Sequence, residues 1–316
     1  MGQPAVTSQS VQLEPETGVA RRSGGGGARP AYRWPAKGFV APGVFIVAGL
    51  LYLPFLWTTY LSFTRYRGLG APEWVGLDNY QALFSDPALL TSLRNTALWV
   101  AGTIIVPVGI GLLIAVLTYN MRFGGWFRLP FLIPYAISGV AVGVIWGFIL
   151  QSGGALTQAM DFVGLPGAES RWLLDAPLNT FVMIGAAAWQ ASGVNALLFV
   201  IGLQSIPKEP LEAARVDGAS GWRMFSSILW PMLRPLTTVV VGLSIVASLK
   251  TFDVVYIMTQ GGPGRSSETL AITMYRETFV QSEYGMGGAV SVFLTVVTLT
   301  ASIAYLRRQL SERKAL

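Results

Sequence analysis

Six long apolar runs constrain this chain more than any other feature. They lie at 39–61, 96–118, 129–150, 180–203, 236–258 and 285–306. A helix needs about 20 apolar residues to span a bilayer, so each run is long enough. Pro54, Pro107 and Pro134 fall in or beside them, which a membrane bundle tolerates where neighbours satisfy the freed backbone groups. The expected fold is an all-α integral membrane protein with six transmembrane helices. Composition agrees: 12% of the residues are charged, against about 25% in soluble domains. Histidine and cysteine are both absent. That removes disulfides, thiol chemistry, Ser-His triads and the commonest metal ligand. No metal site and no catalytic residue is expected.

Residues 1–37 are polar and irregular, with a glycine run at 24–27 and five cations, Arg21, Arg22, Arg29, Arg33 and Lys37. Too little apolar surface is present to offset the entropy of ordering, so a disordered tail is expected. A membrane domain then fills 38–307, and a second short tail 308–316. The first apolar run is too long for a cleaved signal peptide and lacks a small-residue cleavage site. With the N-terminus inside, the inner segments hold the tail cations, Arg122, Arg128, Lys208, Arg215, Arg223, Arg234, Arg307, Arg308, Arg313 and Lys314. The outer loops hold only Arg65, Arg67, Arg171, Arg265 and Arg276, with Arg94 at a membrane edge. Basic residues favour the cytoplasmic side, so both termini are expected there. The net charge of +6 reflects those inner loops rather than nucleic-acid binding.

Gly139, Gly143 and Gly147 form a stripe in the third run, where a neighbouring helix can approach closely. No GxxxxGK[ST] loop for nucleotide phosphates occurs. The segment EAARVDGASGWRMFSSILWPMLRP, 212–235, is unusual for its charge between two apolar runs. Pro210 suits a helix's first turn, and Glu209 and Glu212 favour its positive end. Asp217-Gly218 breaks the helix, with glycine as a left-handed cap, and Ser220 can cap a second helix. On that helix Trp222, Phe225, Ile228 and Leu229 share a face, and Pro231 and Pro235 mark the turn back into the membrane. Such a knob fits a groove on another protein, or lies on lipid through Trp222 and Phe225; composition leaves both open.

EAARVDGA (212–219), followed by Phe225, Ile228 and Pro231, resembles the coupling loop of ABC-importer permeases. WVGLDNY (74–80), RNT (94–96), GLQSIP (202–207), FDVVYIMTQGGP (252–263) and YG (284–285) resemble segments of the carbohydrate-uptake branch, maltose and glycerol-3-phosphate type. The resemblance covers about 39–306; Trp230 stands where the family usually has leucine before the proline. It implies the membrane subunit of an ATP-driven, binding-protein-dependent importer of a sugar, polyol or oligosaccharide in the bacterial cytoplasmic membrane. It implies a coupling loop over 204–235, between helices 4 and 5, in which Glu212, Ala213, Ala214, Asp217 and Gly218 meet an ATPase. The implied partners are a second homologous permease, two ATPase subunits that carry ATP and Mg, an extracytoplasmic substrate-binding protein and membrane lipid. The chain itself binds no cofactor and hydrolyses nothing.

A sugar path needs polar groups among apolar walls. Ser244, Ser248 and Thr251 are spaced to share one face of the fifth span, and Ser192 and Asn195 one face of the fourth. These five are the expected path residues, unless their polar groups serve helix–helix or own-backbone hydrogen bonds. Lys250 and Asp253 are the only charges well inside the drawn spans, spaced to pair on one face. A structural pair near an outward cavity is expected; an ion-coupled secondary transporter, the rival reading, would use them as a proton relay.

Overall fold

The computed structural model describes Gly2, residues 33–167 and residues 169–314. Most of the expected N-terminal tail therefore lies outside the described residues. Six segments are long and apolar enough to cross a membrane: Gly38–Ser62, Pro87–Thr118, Gly139–Val163, Leu178–Gln204, Gly221–Leu249 and Tyr284–Arg307.

The chain divides into two compact units, up to Pro54 and from Phe55 onward. In the first, helix α1 (Arg33–Val47) passes through a π turn, Ala48–Tyr52. It starts at Arg33, inside the stretch assigned to the tail. Its apolar side chains, Phe39 and Phe45 among them, are exposed, as suits a helix surrounded by lipid or another chain. Helix α2 (Leu53–Ser62) begins at the boundary and runs into the second unit.

In the second unit a two-stranded ribbon, β1 (Thr64–Arg65) with β2 (Glu73–Trp74), leads to α3 (Asp78–Ser85) and α4 (Pro87–Thr118). Helix α4 starts nine residues before the apolar run that predicts it. Asp86 accepts from the Ala88 and Leu89 N–H groups and Pro87 opens the first turn, so a cap rather than hydropathy sets its beginning. The third run is not one helix. It divides into α5 (Gly124–Leu132), a 3-10 turn (Ile133–Ala136) and α6 (Gly139–Leu150), followed by α7 (Ala155–Val163). Ser138 is extended and caps the Ala141 N–H, which ends one helix and starts the next.

Helix α8 (Leu178–Gln204) packs closely along α4, because Gly111 leaves no room: a Cβ there would lie 2.6 Å from the Cβ of Asn195. Next come α9 (Lys208–Val216), α10 (Gly221–Met224), a π turn (Phe225–Leu229) and α11 (Trp230–Leu249). Pro231 and Pro235 do not turn the chain. Both lie within the continuous helical run Gly221–Leu249, Pro231 at the start of α11 and Pro235 inside it, which a membrane bundle tolerates where neighbours satisfy the freed backbone groups. The fifth span therefore begins and ends earlier than 236–258. Its expected last third is a separate helix, α12 (Asp253–Thr259), that packs on α6. A Cβ at Gly143 would meet Ile257 at 2.9 Å, so Gly139 and Gly143 seat α12, while Gly147 has open space. Helix α13 (Leu270–Tyr275) and a π turn lead into α14 (Tyr284–Lys314), which carries helix through most of the expected C-terminal tail.

Alternating crossings by these six segments put 63–86, 164–177 and 250–283 at one end of the bundle, and 119–138, 205–220 and the start of the fifth segment at the other. The ends differ in charge. At the first, Arg65 pairs with Glu73, Arg67 with Glu283, Arg171 with Asp175, and both Arg265 and Arg276 with Glu268. At the second, Arg122, Lys208, Arg215 and Arg223 have no carboxylate partner among the described residues.

The family-like motifs at the first end are backbone clamps. Asn79 donates to the Ser62 and Thr64 carbonyls, each at 2.9 Å, and the Tyr80 hydroxyl meets Ser62 Oγ at 2.8 Å. Asn95 donates to the carbonyls of Ser266 (2.8 Å) and Glu268 (3.0 Å), and Thr96 accepts from the Leu270 N–H. Two buried side chains of α4 thus pin the loop between α12 and α13.

Burial among carboxylates at this end raises the pKa of Glu277 above the ordinary carboxylate value; lost hydration is the largest cause, and nearby Arg265 only partly offsets it. A raised folded-state value means the folded chain holds the proton more tightly than the unfolded one. Stability is then greatest below the ordinary carboxylate range, about 4.3, and falls as pH rises through the folded-state value. Glu277→Gln is expected to flatten that part of the profile in thermal unfolding from pH 4 to pH 8; an unchanged pH dependence would contradict it.

Candidate functional site

Two places combine exposed or unpaired polar groups with a built shape: a cavity within the bundle and the knob between α8 and α11.

The cavity has a volume of about 510 Å³ and lies between α4, α8, α11 and the α11–α12 break. Four of the five expected path residues line it: Asn195, Ser244, Ser248 and Thr251. Ser192 does not; it is buried, and its hydroxyl donates to the Trp189 carbonyl. Thr251 reaches the cavity from a different setting than expected. Helix α11 stops at Leu249, so Thr251 lies in the break and not on the face of Ser244 and Ser248.

The polar groups are not equivalent. The Ser244 hydroxyl donates to the Val240 carbonyl at 2.9 Å, and that of Ser248 to Ile245 at 2.8 Å. Both donors serve their own helix, the alternative that serine in a span always offers. Asn195 differs. Its side chain is 6% exposed, it lines the cavity, and its amide makes no hydrogen bond among the described residues. An amide that lines the cavity without a protein partner keeps its donor and acceptor free for a group inside it.

Lys250 and Asp253 also line the cavity. They do not form the expected pair. The break at 250–252 takes them off a common helix face, and no ion pair joins them. Asp253 instead opens α12, where a carboxylate favours the positive helix end. Its Oδ2 would lie 2.9 Å from a Cβ at Gly139, so that glycine makes room for it. Sequence reasoning missed Gln190, which donates to the Ile137 carbonyl, and the aromatic walls Trp99, Tyr135 and Phe252. Trp99 is fully buried and its indole N–H lacks a partner among the described residues. The polar Lys250-Thr251 followed by Asp253 was the available signal for a helix stop and restart.

The knob is built on a firm base. Leu211 on α9 packs with Leu203, Ile206 and Leu233, and Met224, Ile228 and Leu229 cover that cluster. Helix α9 ends in a Schellman motif. The Ala219 N–H donates to the Ala214 carbonyl at 2.8 Å and the Gly218 N–H to Arg215 at 3.0 Å. Gly218 has φ +79, a conformation that costs other residues about 1–2 kcal/mol. Glu212, Ala213, Asp217 and Gly218 are exposed on one side. Ala214, expected with them at the contact, is buried. Ser220 holds the N-cap position of α10 without a capping bond from its side chain. Trp222 is exposed, whereas Ile228 and Leu229 turn inward.

Residues 107–315 match the family described as binding-protein-dependent transport system inner membrane component. The chain is 35% identical over 271 residues to a probable ABC transporter permease protein of Pyrococcus horikoshii, covering 85% of this chain and 93% of that one. It is 34% identical over 266 residues to the sn-glycerol-3-phosphate transport system permease protein of Agrobacterium fabrum, covering 82% and 89%. The fold is similar, with a TM-score of 0.75, to a solved bacterial ABC transporter involved in import of the acidic polysaccharide alginate. That match has 20% identity and covers 87% of this chain and 95% of that one.

Proposed function

This chain belongs to the family of binding-protein-dependent transport system inner membrane components, and on that premise we propose that it carries a sugar, polyol or oligosaccharide through the cavity beside Asn195. It is the membrane-spanning permease subunit of an importer. Relatives named for sn-glycerol-3-phosphate and arabinooligosaccharides support the substrate class. In the proposed assembly a second permease completes the path, and two ATPase subunits bind ATP and Mg. An extracytoplasmic binding protein delivers solute at the end where the arginines are paired. The end with unpaired cations faces the cytoplasm, together with both termini and the knob. Glu212, Ala213, Asp217 and Gly218 form the ATPase contact, and closure of the ATPases moves the knob. A relay of protons through Lys250 and Asp253 is not favoured, since the break between α11 and α12 separates them.

The unpartnered amide of Asn195 carries the reading of the cavity. Asn195→Leu is nearly isosteric and removes both donor and acceptor. Loss of one such hydrogen bond weakens uptake about tenfold, while the chain still copurifies with its partners. Ser192→Ala serves as the control: its hydroxyl is committed to its own helix, so uptake should stay at the wild-type level. Radiolabelled-solute uptake in membrane vesicles decides the matter, and unchanged transport by the leucine variant would remove Asn195 from the path.

A further inference from the structure

A second recess lies on another side of α11 and shares no lining residue with the cavity. It is a groove of about 650 Å³ between α11 and α14. Both walls belong to segments apolar enough to cross the membrane, Gly221–Leu249 and Tyr284–Arg307. Trp230, Arg234 and Thr238 line one end of it, while Val241, Ile245 and Ala301 line the other. From Trp230 to Ile245 is 15 residues, about 22 Å along a helix. That reaches past one hydrocarbon leaflet, about 15 Å, and leaves a further turn for a headgroup.

The polar end carries an unanswered charge. Arg234 is exposed, and no carboxylate pairs with it among the described residues. The Thr237 and Thr238 hydroxyls donate to the Leu233 and Arg234 carbonyls, so they have no proton left to offer an anion. The guanidinium is therefore the charged donor of the groove, and Trp230 lines the same end. Deeper in, Tyr305 forms the floor: a Cβ at Gly242 would lie 2.6 Å from its ring, so glycine is what lets the ring seat there. Ala301 and Ala304 keep the opposite wall low.

We propose that this groove binds an anionic phospholipid, with the phosphodiester on Arg234 and an acyl chain against Val241, Ile245 and Ala301. A phospholipid matches the gradient of the groove from cationic to apolar, and membrane depth is where such a molecule resides. A free anion would leave the apolar end unfilled, and a purely apolar helix would leave Arg234 unanswered in a medium where an isolated charge is expensive.

The test retains native lipid. The tagged chain is extracted from membranes in polymer-bounded nanodiscs, with whatever copurifies, then washed in mild detergent. The phosphatidylglycerol and phosphatidylethanolamine that remain are measured by mass spectrometry. Arg234→Gln should lower retained phosphatidylglycerol about fivefold, as one arginine near the surface contributes. Arg234→Lys should keep most of it. Ala304→Phe, which fills the groove and keeps the charge, should lower it as well, and phosphatidylethanolamine should be unchanged in all three. Phosphatidylglycerol retained at the wild-type level in the glutamine and phenylalanine variants would overturn the proposal. So would equal loss of both lipids, or a photo-crosslinker at 304 that labels only protein. The readout needs no transport or ATPase activity, so its failure is separate from failure of the permease reading.

Discussion

Glu212→Lys should abolish uptake while leaving the chain folded and inserted. Glu212 is exposed on α9 and has no hydrogen bond or ion pair among the described residues. Reversing such a surface charge alters stability by no more than about 0.5 kcal/mol. Its proposed work is outside the chain, where it meets a basic group of an ATPase subunit. At an interface, removing one partner of a buried charge pair costs about 2–5 kcal/mol, which weakens association roughly thirtyfold or more, and reversal adds repulsion. Copurification with an ATPase and ATP-dependent uptake should be lost together. Thermal unfolding of the chain should stay where it was. Gly218→Val tests the same element by shape. No atom lies within 4 Å of its added Cβ, so any loss of coupling arises from the backbone, which at φ +79 disfavours a branched residue. If both variants transport and copurify normally, the knob is not the coupling element.

The spans were legible because hydropathy is additive along a chain, and all six apolar segments are present. Their ends were not, because ends are set by single polar contacts. Asp86 starts α4 by accepting two N–H bonds, which no hydropathy window registers. The break after Leu249 is the larger case. Leu249, Phe252, Val254 and Val255 are apolar enough to hide Lys250 and Asp253 inside one drawn span, yet Asp253 begins a new helix. That break built the wall of the cavity, so one error of continuity carried through to Thr251 and to the supposed Lys250–Asp253 pair.

The knob was more legible, because a Schellman end has a local signature: a helix, then Asp217-Gly218. Which faces are free was not, since burial of Ala214 and Leu211 depends on packing against Leu203 and Ile206, near in space through the fold. The polar residues of the spans show the same division. Spacing placed Ser244, Ser248 and Asn195 toward one cavity. Only geometry distinguished serines committed to their own carbonyls from an asparagine left without a partner. Likewise the motif RNT could be matched by eye, but its physical work is long-range: Asn95 holds a loop more than 170 residues later in the chain.

That loop supplies the largest expected loss of stability. Glu268 is fully buried. Both its oxygens accept from Arg265, at 2.8 and 3.0 Å, Thr273 donates to Oε1 at 2.8 Å, and Arg276 lies 3.3 Å away. Burying this cluster is of doubtful net benefit, since desolvation opposes the attraction. Breaking it is another matter. Glu268→Gln keeps the shape but leaves Arg265 with only Glu277, whose own charge burial already disfavours, and Arg276 with only the Gln260 carbonyl. Removing one member of such a cluster costs about 3–5 kcal/mol, a large part of a typical total of about 5–15. Melting in detergent should fall by about 10 °C, with proteolysis appearing first at 259–268, where Asn95 and Glu268 hold the backbone. Replacing the cluster together, Glu268→Leu with Arg265→Met, Arg276→Met and Glu277→Gln, removes the charges with their partners and should cost far less than the single change. A glutamine variant that melts within 2 °C of wild type would mean that water, rather than Glu268, already satisfies these arginines.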